Sequence, residues 1–140
     1  MWNEQGTTSF SSANSVPFVQ PIPNATDRSE LERTVAGVIA GRRRRAVHFS
    51  AELFSDPAWD ILLHVMLAEC RFQRMSISRL VRAAELPMAT TIRWIARLVE
   101  EGLIVRREDM NDKRRVFIEL SSRGFEAMST YCSRQTPSAA

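Results

Sequence analysis

The chain has 140 residues, of which 44% are hydrophobic, and it carries a formal net charge of +3. These values predict a single domain with a modest core and flanking tails. The sequence does not open with a basic region and an apolar stretch, and no apolar run approaches membrane-spanning length. This argues against a secreted or membrane protein and favours a cytoplasmic one without membrane contact. Cys70 and Cys132 form no CxxC pair and have no nearby histidine, so we expect buried thiols and no metal or other cofactor.

The positive charge is concentrated in one part of the chain. Residues 71–115 hold ten arginines and one lysine against six acids, an excess of +5. Residues 1–56 hold six arginines and six acids. Guanidinium groups bind phosphates and base edges in a planar, bidentate manner, although a GC-rich genome would also enrich arginine. The location of the excess therefore predicts a nucleic-acid contact within residues 71–115.

The N-terminal third is predicted to be an arm followed by one helix. Residues 1–26 are rich in Ser, Thr, Asn and Pro, which predicts a disordered or loosely docked arm. Ser29 and Glu32 have capping-box spacing, so we expect the helix of segment 27–47 to begin at Ser29. The run Arg42–Arg45 near its end has two interpretations, complementing the helix dipole or clamping a phosphate. The apolar residues that follow at helical spacing are Leu31, Val35, Val38 and Ile39.

The central part is predicted to hold the buried core helix. Ser55-Asp56-Pro57 is a strong helix start, with a capping side chain before a proline in the first turn. The helix expected from Pro57 to Phe72 is apolar around much of its circumference. A brief edge strand is expected at Gln73–Ile77, and Ser78 is expected to cap a helix from Arg79 to Leu86.

The helix predicted over residues 88–101, with Gly102 after it as the C-cap, has two different faces. Leu86-Pro87 ends the preceding helix, so the two helices are joined by a tight turn. The face predicted to point inward consists of Met88, Thr91, Ile92, Ile95, Leu98 and Val99. The face predicted to point outward consists of Ala89, Thr90, Arg93 and Arg97. Small residues followed by arginines suit a helix in the major groove of DNA, with a solvated face as the alternative.

Two β-rich runs follow, Leu103–Arg107 and Arg114–Leu120, joined by a polar turn. The tip of this hairpin carries Lys113, Arg114 and Arg115, with Asp109 and Asp112 among them. A basic hairpin after such a helix is interpreted as a wing that enters the adjacent minor groove, with a solubilising tip as the alternative.

The predicted fold class is mostly α with a small β-wing (α+β). It is a winged helix-turn-helix at residues 55–121 with extra helices at residues 27–47 and 122–134 and a tail at residues 135–140. The last helix is expected to be capped by Ser121 or Ser122. It places Phe125, Met128, Tyr131 and Cys132 on one face.

Three segments resemble motifs of the MarR family of bacterial transcription regulators. Arg97–Arg106 reads RLVEEGLIVR and is similar to the family's R-L-x-x-x-G-L-x-x-R. Asp109–Arg114 reads DMNDKR and is similar to the wing motif D-x-x-D-x-R, and Leu120–Gly124 reads LSSRG and is similar to L-T-x-x-G. The resemblance extends over roughly Pro57 to Cys132.

The resemblance implies roles for individual residues. The wing arginine that reaches the minor groove falls on Arg114, and the aspartate that holds it falls on Asp112. The groove-facing positions of the family fall on Ala89, Thr90 and Arg93. Family members dimerise through terminal helices and often bind a small ligand, but nothing in this sequence supports a small-molecule effector. The expected dimer interface consists of Leu31, Val35, Val38, Phe125, Met128 and Tyr131.

The sequence thus predicts a homodimeric regulator that binds double-stranded DNA in a sequence-specific manner, with helix 88–101 in the major groove and wing 106–116 at the minor groove. The residues expected to contact DNA are Ser78, Ala89, Thr90, Arg93, Arg97, Arg107, Asp112, Lys113, Arg114 and Arg115. The alternative is a winged-helix protein-interaction module that docks through its N-terminal helix. An enzyme is not expected, because no nucleophile–base pair, phosphate loop or metal cluster is apparent.

Overall fold

A computed structural model describes residues 25–135 of the protein, with side-chain environments from residue 27 to residue 133. The described part is mostly helical, with one two-stranded antiparallel sheet. This is the winged-helix architecture that the sequence predicted. Its elements are α1 (Ala25–His48), a 3-10 turn (Ala51–Phe54), α2 (Pro57–Cys70), α3 (Ile77–Ala84), α4 (Met88–Glu100), β1 (Ile104–Glu108), β2 (Val116–Leu120) and α5 (Ser122–Gln135). Residues 1–24 of the predicted arm and residues 136–140 of the predicted tail lie outside the described residues.

Helix α1 is longer than predicted and packs along its own chain. It begins at Ala25 rather than at Ser29 and continues to His48. Leu31 and Val35 are buried against the core, and α1 packs mainly on α2 and α5. The ion pair between Arg42 Nε and Asp60 Oδ1, at 2.5 Å, ties the second half of α1 to α2. A helix covered in this way does not need the local capping box that the sequence suggested, because tertiary packing stabilises it.

Helix α2 is the centre of the core, as the sequence predicted. Asp56 is its N-cap and accepts a hydrogen bond from the Trp59 backbone N–H at 3.4 Å. The helix ends at Cys70 rather than at Phe72, because Phe72 adopts a left-handed conformation (φ 57°). The Gln73 N–H then donates to the Ala68 carbonyl at 2.8 Å and closes the end of the helix. The buried residues of α2 are Ile61, Leu63, Val65, Met66, Ala68 and Cys70.

The start of α3 differs from the prediction. Ser76, and not Ser78, is the N-cap, and its hydroxyl accepts from the Arg79 N–H at 3.2 Å. Ser78 lies in the first turn of α3 and is exposed. The predicted edge strand at residues 73–77 is reduced to one bridge between Ser76 and Phe117. Because this bridge joins α3 to β2, it holds the wing against the helix-turn-helix.

Helix α4 follows α3 after a three-residue turn and is rotated relative to the predicted orientation. Thr91, Ile95 and Leu98 form its buried line. Met88 and Ile92, both predicted to face inward, are each 47% exposed. A helix turns about 100° per residue, so Ile92 lies about 90° from the centre of the buried line. The Thr91 hydroxyl donates to the Pro87 carbonyl at 2.9 Å, which satisfies this buried polar group.

The wing connects to α5 through close backbone contacts. Strands β1 and β2 pair in an antiparallel register from Ile104 opposite Leu120 to Glu108 opposite Val116. Gly102 ends the turn after α4 with φ +78°, the left-handed conformation that favours glycine. Ser121 is the residue that caps α5, since its Oγ accepts from the Gly124 N–H at 2.9 Å.

Candidate nucleic-acid interface

A basic cleft lies between the beginning of α3, the beginning of α4 and the wing. Its volume is about 830 Å³. Met88 forms part of the lining, which places the front of α4 at the edge of the cleft. The charged residues that line it are Arg74, Arg79, Arg82, Arg114, Arg115 and Asp112. Five cations against one carboxylate make the cleft a favourable place for a polyanion.

Two of these arginines are fixed by contacts on the α3 side. The Arg79 guanidinium donates to the Arg74 carbonyl at 2.9 Å and to Gln73 Oε1 at 2.6 Å. The Arg74 guanidinium lies over the Phe117 ring of the wing, 4.8 Å from its centroid. Arg82 lies one turn after Arg79 and is exposed. Arg74 and Arg79 are therefore held in place by contacts within the protein, without a ligand.

The tip of the wing is shaped by its aspartates. Asp112 Oδ1 accepts from both the Arg114 backbone N–H, at 3.1 Å, and Arg114 Nε, at 3.2 Å. These hydrogen bonds from Arg114 lower the pKa of the Asp112 carboxyl from its usual value. The Arg114 side chain is 92% exposed, so the contact orients it without covering it. Arg115 and Lys113 are exposed beside it, whereas Arg107 pairs with Glu119 at 2.7 Å across the strands.

The predicted outward face of α4 is largely accessible. Ala89, Arg93 and Arg97 are exposed, and Thr90 is half-buried. Arg97 Nε pairs with Glu101 Oε2 at 3.2 Å within the same helix, so its charge is partly offset. Arg93 is the cation nearest the front of this face.

The structure brings together residues that sequence reasoning missed. Arg74, Arg79 and Arg82 line the cleft opposite the wing, and Met88 and Ile92 add apolar surface at the front of α4. Arg79 and Arg82 are spaced i, i+3 in the helix before the tight turn, a signal that was available in the sequence. Arg74 gave no such signal, because its position depends on the contact with Phe117.

The run Arg42–Arg45 makes contacts within the chain. Besides the Arg42–Asp60 pair, Arg43 donates to the Ala83 carbonyl at 2.7 Å and lies 3.7 Å from Glu85 Oε2. The Arg45 guanidinium lies over the Phe54 ring. Arg42 and Arg43 therefore attach α1 to α2 and to the helix-turn-helix. This role differs from both roles considered for the run from its sequence, complementing the helix dipole and clamping a phosphate. The same arginines and His64 line a smaller pocket of about 170 Å³, where burial lowers the pKa of His64.

The residues predicted for a dimer interface are divided between core and surface. Leu31, Val35 and Met128 are buried within the single chain. Val38 and Phe125 are half-buried. Tyr131 is 50% exposed and makes an edge-to-face contact with the Trp59 ring, with centroids 5.2 Å apart. The first three side chains are therefore already covered by their own chain.

The described residues offer little for metal or thiol chemistry. No group of three or more His, Cys, Asp or Glu residues with metal-binding geometry occurs among them. Both cysteines are buried. Burial raises the pKa of Cys70 to about 11 and also raises the pKa of Cys132, so neither thiol is activated as a nucleophile. Within residues 25–135, no helix has the length and apolar character needed to cross a membrane.

Comparison with known proteins finds similarity to one protein family and to several solved structures. A family model described as "MarR family" matches residues 68–116, which run from the end of α2 to the start of β2. No curated protein sequence matches the chain. Similar solved structures include the adhesin competence repressor AdcR from Streptococcus pyogenes, which has 18% sequence identity and a TM-score of 0.48 over 58% of this chain and 56% of its own.

Two further structures are similar to a comparable degree. A mutant of ZitR from Lactococcus lactis has 20% identity and a TM-score of 0.45 over 56% of this chain and 50% of its own. A mutant of MarR from E. coli, solved with operator DNA, has 18% identity and a TM-score of 0.48 over 78% of this chain and 67% of its own. The chain thus spans about half the length of AdcR and ZitR. The resemblance to the MarR family that the sequence motifs indicated is confirmed by the family match, over residues 68–116.

Proposed function

We propose that this protein is a transcriptional regulator that binds double-stranded DNA in a sequence-specific manner as a homodimer. The observation that carries the proposal is the cleft in which five arginines and one aspartate border the exposed front of α4. In this arrangement α4 enters the major groove and the wing reaches the adjacent minor groove. The match to the MarR family supports the same function.

The contacts divide into those that position the protein and those that read sequence. Arg79 and Arg82 bind phosphates from α3, and Ser78, exposed in the first turn of α3, donates its hydroxyl to a phosphate. Lys113, Arg115 and Arg107 bind the backbone beside the wing. These contacts set affinity and make it dependent on salt.

Sequence is read by α4 and by the tip of the wing. Ala89 and Thr90 allow close approach to the bases, and Arg93 donates to a base edge. Arg97, offset by Glu101, approaches the backbone at the rim of the groove. Arg114, oriented by Asp112, enters the minor groove.

A homodimer fits this mode of binding because one recognition helix and one wing cover only half of a site. We infer that the interface is formed by α1 and α5, whose accessible apolar residues include Val38, Phe125 and Tyr131. Sedimentation of the purified full chain tests this part. A monomer at concentrations that bind DNA would contradict it.

The alternative of a protein-interaction module is supported less well. That interpretation requires α1 to offer its apolar face to a partner. Leu31 and Val35 of this face are buried within the chain. A protein-binding surface also does not require five arginines to converge on one cleft.

Fluorescence anisotropy tests the role of the cleft. The full chain is titrated with labelled duplex DNA at several salt concentrations, and the slope of log affinity against log salt counts the phosphates neutralised. Arg79→Ala and Arg82→Ala should each reduce this slope by about 1 and weaken binding to all duplexes alike. Arg33→Ala is the matched control, because Arg33 is exposed on α1, which contributes no residue to the cleft. Equal slopes for all three variants and the wild type would contradict the placement of DNA in the cleft.

A second titration tests the reading of sequence. Wild type and Arg93→Ala are compared on a duplex from the region upstream of the protein's own coding sequence and on a scrambled duplex. We expect the variant to lose about 1–3 kcal/mol of discrimination while its weak binding to the scrambled duplex persists. An unchanged preference in the variant would remove Arg93 from the reading of bases.

A further inference from the structure

The exposed face of α4 carries apolar side chains that are not buried in the core. Met88 and Ile92 are each 47% exposed, although the buried line of the same helix is complete at Thr91, Ile95 and Leu98. A single exposed apolar residue is ordinary on a protein surface. This pair is different because Met88 also lines the basic cleft, so the apolar surface adjoins a surface on which five arginines converge.

The patch is continuous along the helix. Ala89, Ile92, Arg93 and Ala96 are spaced i, i+3, i+4 and i+7 and therefore share one face. Ala89 and Arg93 are exposed, and Ala96 is half-buried. The β-branched side chain of Ile92 has essentially one χ1 rotamer in a helix. Its branched Cγ atoms are thus restricted to one position, on the helix face that also carries two alanines and an arginine.

The surroundings define which ligand can cover this patch. The arginines of the cleft and Arg93 attract a polyanion, which favours nucleic acid over an apolar peptide. In the major groove of duplex DNA, the apolar group displayed at the base edges is the C5-methyl of thymine. A rigid aliphatic side chain beside an arginine is suited to contact that methyl while the arginine reads a neighbouring base.

We propose that Ile92, supported by Met88 and Ala89, contacts a thymine methyl group and makes thymine a required base in each half-site. This inference rests on the proposed function, because it needs α4 to lie in the major groove. It adds a specificity determinant that charge alone does not supply. Arginine and its neighbours would bind guanine edges and phosphates, whereas Ile92 distinguishes thymine from cytosine and from uracil.

Replacement of thymine by uracil tests the contact, since uracil keeps the base pairing and lacks only the methyl group. A duplex enriched by the wild-type protein from a randomised pool is prepared with thymine and, separately, with uracil at every thymine position. We expect the wild-type protein to bind the uracil duplex about fourfold more weakly for each methyl contacted, the factor expected for one buried methyl-sized group. Ile92→Ala should bind the thymine duplex more weakly and should no longer distinguish the two duplexes. Ile92→Val, which keeps the branched methyl groups, should retain most of the preference.

The outcomes separate this inference from the proposed function. Equal binding of both duplexes by the wild type, or the same preference in Ile92→Ala as in the wild type, would overturn the contact while leaving DNA binding intact. If the wild type enriches no duplex at all, the proposed function fails and the contact fails with it. Thermal unfolding of both variants controls for folding, and because Ile92 is half-exposed and alanine favours helix, both should melt close to the wild type.

Discussion

At the scale of single residues, the junction between wing and last helix depends on two small residues, Ser121 and Gly124. Ser121 Oγ donates to the Gly102 carbonyl at 2.6 Å and accepts from the Gly124 N–H. A Cβ on Gly124 would lie 2.1 Å from the Leu103 carbonyl oxygen. The LSSRG segment was predicted from the sequence as a helix cap at Ser121 or Ser122 and as a family motif, and the structure adds a physical reason for the glycine. The segment is a cap and a point of close approach between α5 and the chain entering β1.

Gly124→Ala should lower the free energy of unfolding by about 1–3 kcal/mol, because the added methyl group meets backbone rather than a movable side chain. Gly37→Ala is the matched control, since no atom lies within 4 Å of a Cβ placed there. In the middle of α1 that change should stabilise the protein by about 0.5–1 kcal/mol. Urea denaturation measures both values. A neutral or stabilising effect of Gly124→Ala would contradict the close approach at Gly124.

At the scale of elements, one half-buried carboxyl joins the end of α2 to the base of the wing. Glu69 Oε2 accepts a hydrogen bond from the Leu120 N–H at 2.6 Å. Burial raises the pKa of Glu69 to about 7, the hydrogen bond from Leu120 opposes this increase, and the charge of Glu119 adds to it. The wing is thus attached to the core through a group that titrates near neutral pH.

The pH dependence of stability follows from the direction of this shift. Because the pKa is higher in the folded state than the usual value of 4.5, the folded state binds the proton more tightly. The stabilisation is therefore full below about pH 4.5 and is lost as the pH rises through about 7. Glu69→Gln, which mimics the protonated form, should unfold like the wild type near pH 5. At pH 8 the variant should be more stable than the wild type, by up to about 3 kcal/mol. Parallel stability profiles from pH 5 to pH 8 would contradict this account.

The elements also show which features local sequence determines. The start of α2 at Asp56 and Pro57 and the turn at Gly102 were predicted correctly, because capping and left-handed turns depend on adjacent residues. The cap of α3 was misplaced because Ser76 and Ser78 are both suitable, and the bridge from Ser76 to β2 decides between them. The docking of α1 was missed for the same reason, since it depends on contacts such as Arg42–Asp60 between distant positions.

The candidate site was predicted in part. The wing arginine and its aspartate were identified from a motif, and the structure places Arg114 against Asp112. Ile92 was assigned to the core because apolar residues usually face inward, and only the rotation of α4 shows that it is exposed. Arg74 and Arg79 join the site through the fold, which brings α3 beside a wing more than 30 residues later in the chain. The periodicity of the sequence cannot predict contacts between segments that are so far apart in the chain.

At the scale of the whole molecule, arginines are divided between one candidate binding surface and the attachment of α1 to the chain. The segment with the excess of positive charge, residues 71–115, is the segment that contributes most of the cleft and the exposed face of α4. Arg42 and Arg43 of α1, by contrast, attach that helix to α2 and to the end of α3. A protein organised in this way presents a separate binding surface on a scaffold stabilised by α2.

Selection from a randomised pool of duplex DNA tests the central claim most directly. The full chain is mixed with the pool, and the bound duplexes are recovered and sequenced over several rounds. We predict an enriched motif with two related half-sites about one helical turn apart, and a loss of preference at one base position per half-site when the selection is repeated with Arg93→Ala. Recovery of duplexes with the same base composition as the starting pool, by a wild-type protein that is folded, would contradict sequence-specific binding through α4.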